Sequence, residues 1–309
     1  MNTRLSVILP VYNNFPYLPD AVESILHQTY SNFRFIIVND GSTDGSAEYL
    51  CSLNDPRILL INQPNTGQGA ARKTALSRCQ SEYVALMDAD DISMPDRFFC
   101  QLNYLDAHPE VVLVGGQIEF LIGSVAQRSL PAPIDHVEIE ARLLQGRAGL
   151  CNPSLMFRTE PALACVNYPS GLLGEDIDFA LCMCERGRVA NLDRILLRYR
   201  IHASQTSLGK TREMIRSNRY AAYRAVFRRQ GLPEPTLDTY LKSASLFDQW
   251  RFSLEAWELV QYRSGRILIA TGKPVRGFLR LALLGICRPF STIRRIAQTI
   301  ASSFRGTAN

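Results

Sequence analysis

The chain has 309 residues, 46% hydrophobic and 20% charged, the composition of an ordinary folded globular protein and not of a disordered chain. Charge interrupts every apolar stretch well before the roughly 20 residues that span a bilayer, and no charged segment followed by a long apolar run opens the chain, so a cytoplasmic location without transmembrane helices is expected. The net charge of +5 is unevenly spread: after Glu258 there are nine Lys and Arg and no acid, so the preceding residues are net acidic and the basic character belongs to the C-terminal segment.

Leu5 to Leu9 reads as a first strand, which Pro10 is expected to end because it cannot donate to a ladder. Leu18, Val22, Ile25 and Leu26 then form one helical stripe. Phe33 to Val38 is a second strand that runs into Asn39-Asp40-Gly41-Ser42-Thr43-Asp44, with Ser42 or Thr43 available to cap the next helix. Ile58 to Ile61 is a third strand, followed by Asn65-Thr66-Gly67-Gln68-Gly69-Ala70-Ala71-Arg72 at a helix start. A dinucleotide-binding loop is disfavoured there, because Arg72 replaces the third glycine and the glycines lie several residues past their strand.

Glu82 to Met87 is a short buried strand that stops in Asp88-Ala89-Asp90-Asp91. Acids at the carboxyl end of a strand in an open α/β sheet face the ligand crevice, and their mutual repulsion calls for a cation. Oxygen donors suit Mg²⁺ or Mn²⁺. Strand and helix alternation through the first 90 or so residues predicts a parallel, helix-covered sheet.

Met94-Pro95-Asp96-Arg97 is expected to open a helix with proline in its first turn, its stripe being Phe98, Leu102 and Leu105. Two strands, Val111 to Val114 and Gln117 to Leu121, a linker from Pro131 to Asp135 and a helix from Val137 to Gln145 follow. Asn152 to Phe157 reads as extended, Glu175, Asp176 and Asp178 cluster at a helix start, and Leu196 to His202 reads as an outer strand. Acids in a first helical turn are also favoured by the helix dipole alone. Beyond Met214 the chain is helical and Arg-rich, with Trp250, Leu254 and Trp257 at core-like spacing. The eight cysteines contain no Cys-x-x-Cys pair and fall mostly in apolar patterns, which predicts buried reduced thiols.

Six of these pieces, in order over about residues 4 to 207, resemble the family 2 glycosyltransferases of the GT-A fold: Ser6 to Asn13, Val38 to Asp44, Asn65 to Arg72, Asp88-Ala89-Asp90-Asp91, Glu175-Asp176 and Tyr199-Arg200-Ile201-His202. The resemblance implies a Rossmann-like, mostly parallel sheet flanked by helices. It divides the chain into a nucleotide-sugar-binding half (1–94), an acceptor-binding and catalytic half (95–207) and a helical, basic C-terminal extension (208–309). It implies that Pro10, Val11, Tyr12 and Asn13 hold base and ribose, and that Asp40 accepts from a uracil N–H, which favours UDP. Gly67 and Arg72 would approach base or phosphate, Asp88 and Ala89 the ribose side, Asp90 the Mn²⁺ or Mg²⁺ that bridges the diphosphate, and His202 that metal or the diphosphate itself. Asp176 is implied as the base, with Glu175 as its fallback. His27, His108 and His136 match nothing in the family.

The function so implied is metal-dependent, inverting transfer of a sugar from a UDP-sugar to a glycan or lipid-linked acceptor of the cell surface, with no nucleic-acid partner. A sugar nucleotidyltransferase is the rival enzyme, although it would usually place a glycine-rich loop where Pro10 to Asn13 stand. A non-catalytic nucleotide-sugar-binding protein is the third reading. The acid-free segment, with Phe278, Leu279, Leu281, Leu283, Leu284 and Ile286 among arginines, suggests peripheral contact with the inner face of the membrane.

Overall fold

The computed structural model describes residues 3–165, 174–202, 210–270 and 272–287. Nine strands form one sheet in the order β3-β2-β1-β4-β8-β6-β9-β5, with β7 paired to β6 alone. In chain order the strands are β1 (Leu5–Val11), β2 (Phe33–Asp40), β3 (Ile58–Gln63), β4 (Tyr83–Leu86), β5 (Ile92–Ser93), β6 (Val111–Ile122), β7 (Val125–Arg128), β8 (Met156–Arg158) and β9 (Arg188–Ile201). The helices are α1 (Leu18–Leu26), α2 (Ser46–Ser52), α3 (Gln68–Leu76), α4 (Arg97–Ala107), α5 (His136–Leu143), α6 (Thr159–Leu163), α7 (Glu175–Cys184), α8 (Thr211–Arg229), α9 (Leu237–Ser243), α10 (Leu246–Ala270) and α11 (Pro274–Cys287).

Period-two alternation builds two cores from one sheet. Leu5, Val7, Leu9 and Val11 of β1 join Phe33, Phe35 and Ile37 of β2 under α1 and α4. Ile8, Ile36 and Val38 face the other way, under Ala71 and Ala75 of α3 and the buried faces of α5, α7 and α8. The sheet is parallel through β3, β2, β1 and β4. It then reverses twice, at β4–β8 and β8–β6, and the second reversal restores the first direction. Because β9 runs parallel to β6, its carboxyl end reaches the same edge as those of β1, β2 and β4.

Several local expectations give way to packing. Pro10 lies inside β1, opposite Val38. Ile8 accepts from Met87 N, so Pro10, two residues on, faces the β4 side beyond β4's last paired residue, where no ladder donor is needed. The α2 N-cap is Gly45 and not Ser42 or Thr43, and Pro95 precedes the α4 N-cap Asp96 instead of entering the first turn. The two strands expected around Gly115-Gly116 are one strand, β6, with register shifts on either side of Gln117. A Cβ at Gly115 would strike Asn191 Oδ1 and one at Gly116 the side chain of Leu196, so these glycines admit β9 and do not break β6.

Asn152–Ser154 is a 3₁₀ turn ahead of β8, where extended chain was expected. The segment ending at His202 belongs to the 14-residue β9, which β5 borders on its outer side. Trp250 is 58% exposed and is not a core residue. Cys165 and Cys182 form a disulfide between the end of α6 and the middle of α7, against the expectation of reduced thiols; the other six cysteines are free. Among the described residues no helix is long and apolar enough to cross a membrane.

Candidate active site at the carboxyl edge of the sheet

Four loops converge at this edge. The loop after β1 turns at Asn13, whose φ of 51° is left-handed and suits asparagine. Its Oδ1 accepts from Thr43 N at 2.7 Å and its own N–H donates to Ser42 Oγ at 3.2 Å, tying the β1 loop to the β2 loop. Asp44 holds the same junction by accepting from Phe15 N at 2.9 Å, and despite burial its backbone and Ser46 hydrogen bonds pull its carboxyl below the ordinary value. Pro10 and Val11 are buried below, and Tyr12 stands 48% exposed above.

Asp40 is almost fully buried and organises the loop into α3. Its Oδ1 accepts from Gln63 Nε2 at 2.7 Å, Thr66 N at 3.0 Å and Thr66 Oγ1 at 3.1 Å, and Oδ2 accepts from Gly67 N at 2.8 Å. One lone pair of Oδ2 is the acceptor capacity left to it. Gly67, at φ 91°, is the α3 N-cap.

Arg72, one turn into α3, spans the cleft. Nη2 donates to Asp88 Oδ1 at 2.9 Å and Nη1 to Asp176 Oδ1 at 3.0 Å, and Asn152 Oδ1, with its amide turned oxygen-inward, accepts from Nη2 at 2.8 Å. Burial opposes the charge on Arg72, but Asp88, Asp176 and Glu175 outweigh it and raise the guanidinium pKa. Asp88 also accepts from Gln68 at 3.2 Å; burial raises its pKa against the pull of Arg72. Ala89 is buried between its acidic neighbours.

Glu175 and Asp176 open α7. The Glu175 carboxylate fills the space that a Cβ on Gly69 would need, which accounts for glycine there without a phosphate. Asp176 keeps half of its side chain exposed beside Arg72. Asp178, the third acid of the cluster, plays a different part: it is buried and accepts from Arg224 of α8 at 2.6 Å, fixing α7 against that helix.

On the other flank, His202 Nε2 lies 2.9 Å from Asp90 Oδ2, and the His202 ring packs on Tyr17 at 4.5 Å between centroids. Arg200 ties the end of β9 to the acidic loop: its N–H donates to Asp91 Oδ1 and its Nε to Asp90 O, both at 2.8 Å. Asp91 is buried, its Oδ2 has no hydrogen-bond partner among the described residues, and burial with the charges of Asp90 and Asp88 pushes its carboxyl well above the usual range. Among the described residues no three potential metal ligands converge. Asp90 and His202 bring one carboxylate and one imidazole together at this edge, donor types that a divalent cation accepts.

Two residues under the site escaped the sequence reading. Arg97 is fully buried; its Nη2 donates to Leu86 O at 2.8 Å and to Leu155 O at 3.1 Å, and its Nε to Gln101 Oε1 at 3.0 Å. Gln101 in turn donates to Ser154 O at 2.8 Å and Val114 O at 3.1 Å. Burial lowers the Arg97 pKa to about 9, so it remains a cation at neutral pH beneath the acids. A charged residue ahead of the apolar stripe of α4 was the available signal. His27 caps its own helix turn, with Nδ1 2.9 Å from Glu23 O; His108 lies likewise against Tyr104 O, and His136 Nδ1 accepts from Val189 N. Ala203 to Ser207, the polar loop after His202, lies outside the described residues.

A sheet parallel at the edge that carries the acids, helices on both faces and a cleft of carboxylates at that edge define a GT-A-like α/β protein. Residues 6–162 match the sequence model of glycosyl transferase family 2. An uncharacterized glycosyltransferase of Methanocaldococcus jannaschii is 30% identical over 206 residues, 64% of this chain and 70% of that one. The amylovoran biosynthesis glycosyltransferase AmsE of Erwinia amylovora is 31% identical over 203 residues, 63% and 75% of the two chains. An uncharacterized glycosyltransferase of Rickettsia felis is matched over only 18% of its length, at 37% identity over 34% of this chain.

Among solved structures, S. aureus TarS 1-349 in complex with UDP-GlcNAc superposes with a TM-score of 0.59 at 16% identity, covering 93% of this chain and 92% of that one. The mannosyltransferase PcManGT of Pyrobaculum calidifontis, in complex with GDP-Man and Mn²⁺, gives 0.56 at 16% identity, covering 98% and 81%. These likenesses show the fold. The chain belongs to glycosyl transferase family 2, which sets the nucleotidyltransferase reading aside.

Proposed function

We propose that this protein is a metal-dependent, inverting glycosyltransferase that moves a sugar from a UDP-sugar to the hydroxyl of a glycan or lipid-linked acceptor. The observation that carries the reading is Arg72, which joins Asp88 of the β4 loop and Asp176 of α7 in one cleft. Similarity to nucleotide-sugar enzymes and the acidic edge of the sheet support it.

In this reading the base and ribose rest on Pro10, Val11, Tyr12 and Asn13, and a uracil N–H donates to the remaining lone pair of Asp40 Oδ2. Asp88, with Ala89 below it, faces the ribose, while Gly67 and Arg72 meet the nucleotide. Asp90 and His202 hold Mn²⁺ or Mg²⁺. When bound, the ion neutralises charge on the diphosphate.

The acceptor oxygen attacks the anomeric carbon from the side of α7 as the bond to the diphosphate oxygen breaks. Asp176 takes the hydroxyl proton; for that it must come within about 2.6–3.2 Å of the attacking oxygen. Its half-exposed carboxylate has an oxygen beyond the one that Arg72 engages. Glu175, set against Gly69, is the alternative base. A single displacement with one base gives inversion.

UDP release is the test, measured across a panel of UDP-sugars with Mn²⁺, with Mg²⁺ and with chelator, for wild type and Asp90→Ala. Metal-dependent release from one donor, lost in the variant, is expected. If the protein binds neither UDP nor a UDP-sugar by thermal shift with metal present, the reading is wrong.

A further inference from the structure

The last described helix, α11, is apolar on two opposite sides. One side packs on α10: Gly277 and Leu284 are buried with Leu281 between them, and the two backbones approach closely where Gly277 meets Gly265. Such spacing, at i, i+4 and i+7, accounts for one side of a helix. Directly opposite run Val275, Leu279, Ala282 and Ile286, also at i, i+4, i+7 and i+11, and all are exposed. Ile286 is 80% exposed, Val275 72% and Leu279 65%, with Phe278 at 62% beside them. The stripe is about 17 Å long. Exposed Arg276 and Arg280 line one flank, one turn apart.

A contiguous apolar stripe of this size on the outside of a folded chain marks an interaction surface. Charge decides the occupant. From residue 259 to the end the sequence has no acid, Arg276 and Arg280 flank the stripe on one side, and Lys273 stands just ahead of the helix. A second copy docked through the same stripe would bring these arginines together with no acid in the segment to offset them. A protein groove is also a poor fit for a helix that offers this flank of exposed cations in a segment whose sequence has no acid. A bilayer surface with anionic headgroups supplies both an apolar layer and the opposite charge.

We propose that α11 is an interfacial helix that seats the protein on an anionic lipid surface. Val275, Phe278, Leu279 and Ile286 enter the acyl boundary, and Arg276 and Arg280 stay among the headgroup phosphates. The helix lies on the bilayer and does not span it. The attachment is independent of donor, metal and acceptor.

The experiment is co-sedimentation of the full chain with phosphatidylcholine vesicles, with and without about 30 mol % phosphatidylglycerol, at low and high salt. Leu279→Asp with Ile286→Asp alters only the exposed stripe, and Arg276→Gln with Arg280→Gln alters only the charge. Wild type is expected on the anionic vesicles at low salt, with each double variant partitioning about tenfold or more less, at an unchanged thermal midpoint and unchanged UDP binding. Wild type that stays in the supernatant, or an aspartate variant that pellets as well as wild type, overturns the proposal. So does a wild-type dimer that the aspartate variant converts to monomer with no vesicle binding in either, because the stripe is then covered by a second copy.

Discussion

His202 Nε2 and Asp90 Oδ2 lie 2.9 Å apart although 112 residues separate them in the chain. The two antiparallel steps through β8 make this possible, since they return β9 to the direction of β4 and deliver its end to the acidic loop. If the pair holds the cation, His202→Ala weakens UDP binding at least about tenfold in Mn²⁺ and leaves binding in chelator unchanged. Calorimetric titration of UDP under both conditions checks this. Equal losses with and without metal would assign His202 to the nucleotide and not to the ion.

Arg97 satisfies two carbonyls at the ends of β4 and β8, directly under the carboxylates. Arg97→Met leaves Leu86 O buried without that donor, while Leu155 O still accepts from Leu86 N at 2.9 Å, and is predicted to cost about 1–3 kcal/mol, read from urea unfolding. Arg97→Lys keeps the charge but not the planar fork, so it recovers only part of the loss. A variant as stable as wild type would show that the guanidinium is dispensable to the floor of the site.

Burial pushes the Glu175 carboxyl above its ordinary value of 4.5, with Arg72 opposing the rise and Asp176 adding to it. The folded protein therefore binds this proton more tightly than the unfolded chain does. The resulting stability is complete below pH 4.5 and is lost as pH rises through the folded pKa. Glu175→Gln fixes the neutral form. Its thermal midpoint relative to wild type is predicted to be higher at neutral pH than below pH 4.5. The same offset at both pH values would contradict the burial account.

The gathering of Asp40, Gly67, Arg72 and Asp88 at one edge of the sheet was legible because each sits within a few residues of a strand end or helix start that periodicity marks. Long-range packing was not legible in the same way. Gly115-Gly116 looks like a strand break until Asn191 and Leu196 of the adjacent strand come to rest on them. Asp178 looks like a helix-dipole acid until Arg224 arrives from another helix 46 residues later. Arg97 reads only as part of a helix start, and its buried side chain donates to Leu86 O at the end of β4 and to Leu155 O just ahead of β8. Asp40 reads as a base contact, and the fold gives most of its acceptor capacity to the loop into α3.

The division of the cleft between a donor side and a base side is tested most directly by Asp176→Asn, with donor affinity and turnover measured on the same preparation. Arg72 keeps Asp88 as its partner in that variant, so UDP-sugar binding is predicted to stay within a few-fold of wild type while turnover falls by at least about a hundredfold. Retained turnover would remove Asp176 from the role of base, and a parallel collapse of donor affinity would place it on the donor side.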